Sequence, residues 1–244
     1  MLRRSSAILK MVPGVSGVLF TRTEYTELMS LARDIERRLE AVVEDFAGKV
    51  FRGALHPIEL TSRLVREADL ALLSSEIGPI APNVFEVRVG PAAVPDDIPD
   101  DLLAEIAGAV FDSAKHHGWR LQGPVEVTLL EDESISSGSL VCTTSVQVGP
   151  IDSWATLEGK VGNFELYHNR TLVGRNAHAD IHIPQPYLSR QHAVIWRDSG
   201  GIHIEDFRSA NGTKVDGELI DKPTDLISGS VVTFGDASFS LRTV

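Results

Sequence analysis

Three short groups of residues in the last third of the chain carry side chains that could together bind an anion. Arg175 offers a planar guanidinium that can form two parallel hydrogen bonds to a phosphoryl group. Ser189 and Arg190 add a hydroxyl and a second guanidinium, and Asn211 adds an amide. Because charge-assisted hydrogen bonds are each worth about 1.5 to 3 kcal/mol, these groups predict a pocket for a phosphate dianion.

Each group also has an ordinary structural interpretation. Gly174-Arg175 could be a strand end followed by a solvated arginine. Asn211-Gly212 could be only a turn, because Asn-Gly is the strongest short turn signal. The binding interpretation depends on the groups occurring together and in this order.

A catalytic interpretation has weaker support. Asp180, His182, Ser189 and His192 are the residue types of a hydrolase, but no nucleophile elbow or Gly-rich phosphate loop accompanies them. Asp180 and His182 lie two apart, so on a strand they would share one face, most simply a solvated one. The sequence therefore predicts no enzyme, no catalytic residue and no cofactor.

A metal site is not expected either. Cys142 is the one cysteine, so it can form no internal disulfide, and a reducing cytoplasm suits it. It lies in an alternating apolar run over 140–148, which favours a buried thiol over a nucleophile. His116 and His117 fall at a predicted helix end, where cations are favoured without a metal.

The charge balance limits the partners. The chain has 244 residues with 23 Lys and Arg against 34 Asp and Glu, a net charge of -11, which disfavours nucleic acid or an anionic membrane surface. Residues 151–244 hold 9 basic and 12 acidic residues, so a phosphate pocket there must be a local basic spot. The basic start over 1–20 is interrupted by Lys10, Pro13 and Gly14, and it lacks the unbroken apolar core of a signal peptide.

Hydrophobic periodicity divides the chain into two domains. The first has the order α-α-β-α-β-β, an α+β domain with helices against a small sheet. Its predicted elements are a helix over 30–51, a helix from Pro57 to about residue 72, a strand over 85–89, a helix over 102–118, and strands over 125–129 and 140–148. The last two strands are expected to pair as a hairpin across a polar turn over 131–138.

After a short linker over 149–154, only short alternating runs occur, separated by Gly, Asp, Asn and Pro. Many short strands with frequent turns predict an all-β sandwich over 155–244. Asp216-Gly217 is expected to form a hairpin turn, and the run Val231 to Phe234 a strand that ends before Gly235.

The combination of Gly174-Arg175, Ser189 to His192 and Asn211 to Thr213 inside an all-β region closely resembles the forkhead-associated (FHA) domain over about 155–241. The resemblance implies a module that binds phosphothreonine peptides. It implies contact with the peptide by Arg175, Ser189, Arg190, Asn211 and Tyr187. It also implies that Gly174, His192, Gly212 and Thr213 support the pocket without touching the phosphate.

Two further details follow from this resemblance. Asn211 is expected to hold the backbone of the peptide, and a small cleft for the threonine methyl would separate phosphothreonine from phosphoserine. Ala210 stands where the family usually has Thr, which removes a hydroxyl from the rim of the site. Pro186 and Tyr187 lie in a loop expected to contact the peptide beyond the phosphothreonine.

The first domain contains the runs Ile35 to Glu40, Phe51-Arg52, Pro57 to Leu60, Arg66 to Asp69, Asn83 to Val87 and Gly118 to Val127. With these runs it resembles, over about 30–148, the N-terminal domain of actinobacterial FHA proteins of the FhaA type. This resemblance implies a cytoplasmic bacterial adaptor that acts with Ser/Thr protein kinases or their substrates, in cell-wall synthesis or division, recruited to the membrane by a phosphorylated partner. It also makes Met29 a plausible start, with 1–29 disordered or mis-assigned. The alternative is a structural assembly or dimerisation protein that acts through the first domain independently of phosphorylation.

Overall fold

The computed structural model describes residues 56–91 and 100–244. The helix predicted over 30–51 and the start over 1–29 lie outside these residues. The described part of the first half contains the remaining predicted elements, with ends that differ by a few residues. They are α1 (Pro57–Leu70), β1 (Val84–Val89), α2 (Asp100–His116), β2 (Glu126–Glu131) and β3 (Leu140–Ser145).

One face of α1 builds the first hydrophobic core. Pro57 opens the helix at a position where its missing N–H would have no intrahelical partner. Leu60, Leu64 and Ala68 follow at helical spacing and are buried. They pack in one cluster with Phe85 of β1 and with apolar residues of α2, so both helices belong to the same core as the sheet.

The three strands have the order β2-β1-β3, with β1 parallel to β2 and antiparallel to β3. The hairpin expected between the second and third strands is therefore wrong. The loop over 132–139 exceeds the usual hairpin length of about two to five residues, and it carries the chain across to the far edge of β1. Buried Asn83 helps to fix this order: its amide donates to the Pro124 carbonyl at 2.9 Å, and its carbonyl oxygen accepts from the Gln147 N–H at 2.9 Å.

The second half of the described chain is a β-sandwich, as predicted, and no helix occurs over 155–244. One sheet has the order β11-β10-β13-β14-β4-β5 and the other β12-β9-β8-β6-β7. The strands are β4 (Ala155–Gly159), β5 (Gly162–Leu166), β6 (Arg170–Gly174), β7 (Ile181–His182), β8 (Ala193–Asp198), β9 (Gly201–Asp206), β10 (Thr213–Val215), β11 (Glu218–Leu219), β12 (Thr224–Leu226), β13 (Val231–Phe234) and β14 (Ala237–Thr243).

Alternation along the strands creates a second core between these sheets. Leu157, Ile195, Ile204 and Phe234 come from both sheets and have no exposed surface. The expected hairpin turn joins β10 to β11, where Asp216-Gly217 has positive φ at both residues, 52° and 92°. No helix among the described residues has the length and apolar character needed to cross a membrane.

The two halves contact each other through β6, β7 and the segment after α2. Arg120 of the first half makes a bidentate ion pair with Asp180, which lies just before β7, at 2.7 and 2.9 Å. Asp180 is exposed, as expected, although its side chain is engaged by Arg120 and is 21 % exposed. His182 is exposed, as expected.

Candidate functional site

A surface cavity of about 430 Å³ lies at one end of the sandwich, where the loops after β6, β7 and β9 meet. Its lining consists of Arg175, Pro186, Tyr187, Leu188, Ser189, Arg190, Gln191, Ala210 and Asn211. The fold thus brings together all five side chains that the sequence assigned to peptide contact. The support residues lie directly behind this lining.

Gly174 lets two loops approach closely enough to form the cavity. A Cβ at this position would lie 2.2 Å from the carbonyl oxygen of Arg190, so only glycine fits without moving backbone. The next residue, Arg175, is tied to the same loop, because its N–H donates to the Ser189 carbonyl at 2.9 Å. The close approach places the first guanidinium beside the second loop.

The Arg175 side chain is held in one orientation but uses only part of its hydrogen-bonding capacity. Its Nε donates to the Leu188 carbonyl at 3.1 Å, which fixes the plane of the guanidinium. Among the described residues, its two Nη groups make no hydrogen bond, and the residue is exposed. Arg175 therefore presents a positioned fork of N–H donors to the cavity.

Ser189 links two of the three loops. Its Oγ accepts a hydrogen bond from the Ala210 N–H at 2.9 Å, so the hydroxyl hydrogen is still available for a ligand. Its neighbour Arg190 is exposed and lines the same cavity. The sequence assigned a hydroxyl and a second cation to this loop, and both lie at the cavity.

His192 is fully buried and braces the loops from behind. Its Nδ1 accepts from the Ser189 N–H at 3.1 Å, and its Nε2 donates to the Gly212 carbonyl at 3.1 Å, since a carbonyl can only accept. These partners require the neutral ring with the proton on Nε2. Burial lowers the pKa of His192 from its usual 6.5, which keeps the ring in that form at neutral pH.

Asn211 and Tyr187 join the second and third loops. The Asn211 side-chain amide donates to the Tyr187 carbonyl at 2.7 Å, which leaves the Asn211 carbonyl oxygen for another donor. Tyr187 is half-buried and packs against the core of the sandwich. The half-buried ring gives this rim of the cavity a fixed wall.

The third loop is organised by residues that sequence reasoning missed. Asp206 accepts hydrogen bonds from the Ser209 N–H at 2.8 Å, the Ser209 hydroxyl at 2.6 Å and the buried Thr213 hydroxyl at 2.7 Å. The Ser209 Oγ in turn accepts from the Gly212 N–H at 2.9 Å. The spacing Asp-x-x-Ser before Asn-Gly is the available signal, since both residue types bond to nearby backbone in turns.

Gly212 is the position in this loop that needs glycine. It has φ +75°, and a Cβ there would lie 2.4 Å from Leu219 Cδ1. Its carbonyl accepts from His192, so this turn and the loop after β7 are held together by one buried ring. Thr213, which begins β10, is fully buried.

The geometry gives no support to the hydrolytic interpretation. His192 contacts the backbone N–H of Ser189 and not its hydroxyl, so it does not activate that oxygen. Asp180 is engaged by Arg120, and His182 is exposed on β7. Burial raises the pKa of the Cys142 thiol to about 11, which keeps it protonated and weakly nucleophilic.

Metal ligands are not clustered in the described part of the chain, where no group of three His, Cys, Asp or Glu could hold an ion. His117 stacks on Trp119 with ring centroids 4.7 Å apart, so the histidine pair after α2 has a packing role. The cavity is a constellation of donors and not a metal centre.

Comparison with known families agrees with this architecture. Residues 171–235 match the family described as the FHA domain, and the chain is therefore an FHA-domain protein. Residues 32–143 match the family described as the FhaA N-terminal domain. The chain thus joins an N-terminal domain of the FhaA type to an FHA domain.

Curated relatives share only a short segment with this chain. It is 42% identical over 72 residues to an ABC transporter ATP-binding/permease protein of Mycobacterium tuberculosis, covering 30% of this chain and 8% of that protein. It is 38% identical over 77 residues to the human proliferation marker protein Ki-67, covering 32% of this chain and 2% of that protein. The chain therefore spans a small fraction of the length of these relatives.

Solved structures that resemble this chain include an FhaA FHA domain complexed with the intracellular domain of Rv3910. That structure is 25% identical, covers 36% of this chain and 99% of its own, and has a TM-score of 0.34. The FHA domain of the CT664 protein from Chlamydia trachomatis is 30% identical, covers 38% of this chain and 99% of its own, and has a TM-score of 0.35.

Proposed function

We propose that this protein is a non-catalytic adaptor that binds phosphothreonine-containing proteins through the cavity of its FHA domain. The observation that carries the proposal is the arrangement of the cavity. The two guanidiniums of Arg175 and Arg190 and the hydroxyl of Ser189 line one cavity, and the Nη groups of Arg175 have no partner among the described residues.

A phosphothreonine suits these donors. It carries nearly two negative charges and three strong acceptor oxygens near neutral pH. Arg175 would donate two parallel bonds from its Nη groups, Ser189 would donate its hydroxyl hydrogen, and Arg190 would add charge. A few such bonds suffice for an affinity on the order of micromolar, which corresponds to about -8 kcal/mol.

The remaining lining residues would recognise the peptide around the phosphate. The free carbonyl oxygen of Asn211 can accept from a peptide N–H, and Tyr187 offers a fixed apolar wall for flanking residues. A threonine methyl that fits against this lining would contribute about 0.8 kcal/mol over serine by burial alone. Strict selection of phosphothreonine therefore requires close packing of the methyl.

The match to the FhaA N-terminal domain supports a proposal for the class of partner. Proteins of the FhaA type imply phosphorylated Ser/Thr kinases or their substrates, in bacterial signalling linked to cell-wall synthesis or division. Such a role would place the protein in the cytoplasm, with recruitment to the inner face of the membrane by a phosphorylated partner. The net charge of -11 agrees with a protein partner better than with nucleic acid or lipid.

Titration of a phosphothreonine peptide library against the full chain and its Arg175→Ala variant tests the proposal. Arg242→Ala is the matched control, because it removes an equally charged, exposed residue that does not line the cavity. We expect Arg175→Ala to weaken phosphopeptide binding by at least tenfold, since it removes about 1.5 to 3 kcal/mol of charge-assisted bonding. Arg242→Ala should bind like the parent protein.

Binding that is equal for phosphorylated and unphosphorylated peptides would refute the proposal. Assembly through the first domain that persists after phosphatase treatment, in the absence of any phosphopeptide binding, would favour the structural alternative. Light scattering of the full chain before and after phosphatase treatment separates these outcomes.

A further inference from the structure

The first domain is fixed to the FHA domain by several polar contacts, most of them part-buried, and not by a loose tether. Arg120 is 6 % exposed, and both of its Nη groups bond to Asp180. One of them also donates to the Arg170 carbonyl. Asp180 accepts in addition from the Leu172 N–H at 2.8 Å, so the pair is built into the edge of the five-stranded sheet.

A second arginine crosses the same interface in the opposite direction. Arg170 of β6 donates from Nε to the Ile77 carbonyl and from Nη1 to the Gly118 carbonyl at 3.4 Å. Its guanidinium also lies over the Trp196 ring, 4.8 Å from the centroid. Burial lowers the pKa of Arg170, which agrees with a cation removed from bulk water.

Side chains next to Arg170 complete the contact. The Asn169 amide donates to the Trp119 carbonyl at 3.1 Å, and His168 Nδ1 donates to the Leu121 carbonyl at 2.8 Å. Both acceptors lie in the segment that follows α2. Because the bonds are directional and mostly part-buried, they specify one orientation of the two domains.

This orientation brings a turn of the first domain to the rim of the cavity. The turn is closed by the Ser75 hydroxyl, which donates to the Gly78 carbonyl at 2.6 Å. Gly78 has φ +118°, and the Arg170 side chain fills the space that a Cβ would need, with Nε at 2.3 Å. The residue between them, Glu76, accepts from the amide of Gln191 at 2.6 Å, and Gln191 lines the cavity.

Glu76 changes the charge pattern around the cavity. The residues that line the cavity include two arginines and no carboxylate. The carboxylate of Glu76, which is hydrogen-bonded to the lining residue Gln191, comes from the other domain. A bound peptide that places its phosphoryl group on Arg175 would extend its flanking residues over the rim. A cation on the Gln191 side would meet the exposed carboxylate of Glu76.

We infer that the peptide-binding surface is composite, and that Glu76 of the first domain selects phosphothreonine peptides with a lysine or arginine close to the phosphothreonine. This inference rests on the proposed function of the cavity. It assigns the first domain a role in specificity, since Arg120 and Arg170 hold Glu76 in place.

The test compares phosphothreonine peptides that are identical except for one Lys or one Glu, scanned over the positions on both sides of the phosphothreonine. Calorimetry with the full chain should show a preference for Lys at one or two positions, of about twofold to fivefold, typical of an exposed charge pair. The preference should shrink at high salt.

Glu76→Gln is the sharpest variant, because the new amide oxygen can still accept from Gln191 while the charge is gone. We expect it to bind Lys and Glu peptides equally, and Glu76→Lys to prefer Glu peptides. Glu133→Gln, an exposed residue in the loop after β2, is the matched control and should keep the preference. Arg120→Gln should lose the preference without losing Arg175-dependent binding.

An unchanged Lys preference in Glu76→Gln, or an absent preference in the parent protein, would overturn the composite surface. In that case the peptides would still bind in an Arg175-dependent manner, and the proposed function would stand. If the parent protein bound no phosphopeptide at all, both the proposed function and the composite surface would be refuted.

Discussion

The rim of this cavity carries a methyl group at position 210, where the resemblance to the FHA domain leads us to expect a hydroxyl. Ala210 lines the cavity, and its N–H is already engaged by the Ser189 hydroxyl oxygen. The methyl group offers the phosphate nothing to bind. Residue 210 therefore contributes its backbone N–H to the hydrogen bond with Ser189, but its side chain has no hydrogen-bond donor.

Restoring the hydroxyl should strengthen binding. We expect Ala210→Thr to lower the Kd for a phosphothreonine peptide by about threefold to tenfold, because one added hydrogen bond is worth about 0.5 to 1.5 kcal/mol. Ala210→Val is the control, since it has the same shape and no hydroxyl. Calorimetry decides the matter: an equal gain in both variants would show that packing, and not the hydroxyl, limits the affinity.

The resemblance carried by residue types and their order along the chain predicts which residues meet at one cavity. It points to Arg175, Ser189, Arg190, Asn211 and Tyr187, and all of these residues line one cavity. That success has a local cause, because each motif sits at a strand end whose position follows from hydrophobic alternation. The roles of these residues in peptide contact remain predictions.

The supporting bonds are harder to predict. Asp206 and Ser209 hold the loop after β9 through four side-chain bonds, yet Asp and Ser are so common in turns that their spacing alone indicates little. Likewise, the motif identifies Gly174, but the reason that glycine is needed there is visible only in the folded structure. A Cβ at this position would lie 2.2 Å from the backbone oxygen of Arg190. The sequence thus identifies the residues of a loop more readily than the hydrogen bonds and contacts that hold the loop in place.

At the scale of elements, His192 is the brace between the loops after β7 and β9. It needs a bare Nδ1 to accept from Ser189, so a second proton would break that bond. Burial lowers the folded-state pKa below the usual 6.5. Below about pH 6.5 His192 is protonated in the unfolded chain but still neutral in the folded chain. The free energy of unfolding must therefore fall as the pH drops.

We expect the free energy of unfolding to be highest above pH 6.5 and to decline through the range between 6.5 and the lower folded-state value. His168, at the domain interface, has a pKa lowered chiefly by burial and adds to the same trend. Urea unfolding at several pH values measures the slope. His192→Gln should flatten it, while His182→Gln, an exposed residue on β7, serves as the control.

A slope that is identical in the parent protein and in His192→Gln would contradict this account. Unfolding is the proper measurement here, because the phosphate of a peptide itself titrates near pH 6 and would confuse a binding assay.

Element pairing shows where prediction from sequence stops. Alternation predicts the three strands of the first-domain sheet, but the predicted pairing of β2 with β3 is wrong. β1 is the central strand because it pairs on both edges, and its Phe85 and Val87 side chains are fully buried. Asn83, which ties the two outer strands to that centre, gives no distinctive signal in the sequence.

The whole molecule adds what neither domain has alone. The sequence predicts two domains with a short linker, and nothing in the pattern of Arg120 or Asp180 indicates that they meet. The two residues lie 60 positions apart, and the sequence predicts a solvated Asp180. Their pairing makes the orientation of the domains a structural feature, and the rim of the peptide site depends on it.

The strength of this link is measurable. Breaking this part-buried ion pair leaves one charge without its partner, and Arg120 is itself buried, so we expect Arg120→Gln and Asp180→Asn each to lower the free energy of unfolding by about 2 to 4 kcal/mol. The double variant should cost clearly less than the sum of the two, with a coupling energy of about 1 to 3 kcal/mol. Because both groups are removed together, neither is left unpaired.

The exposed pair Arg242–Glu158 provides the matched control, and its coupling energy should be below about 1 kcal/mol because water screens both charges. We also expect the parent protein to unfold in one transition and Arg120→Gln to unfold in two, since each domain has its own core. Additive effects of the two substitutions, with one transition throughout, would mean that the domains are held by other contacts. The Arg170 and Asn169 bonds would then be the ones that keep Glu76 at the cavity.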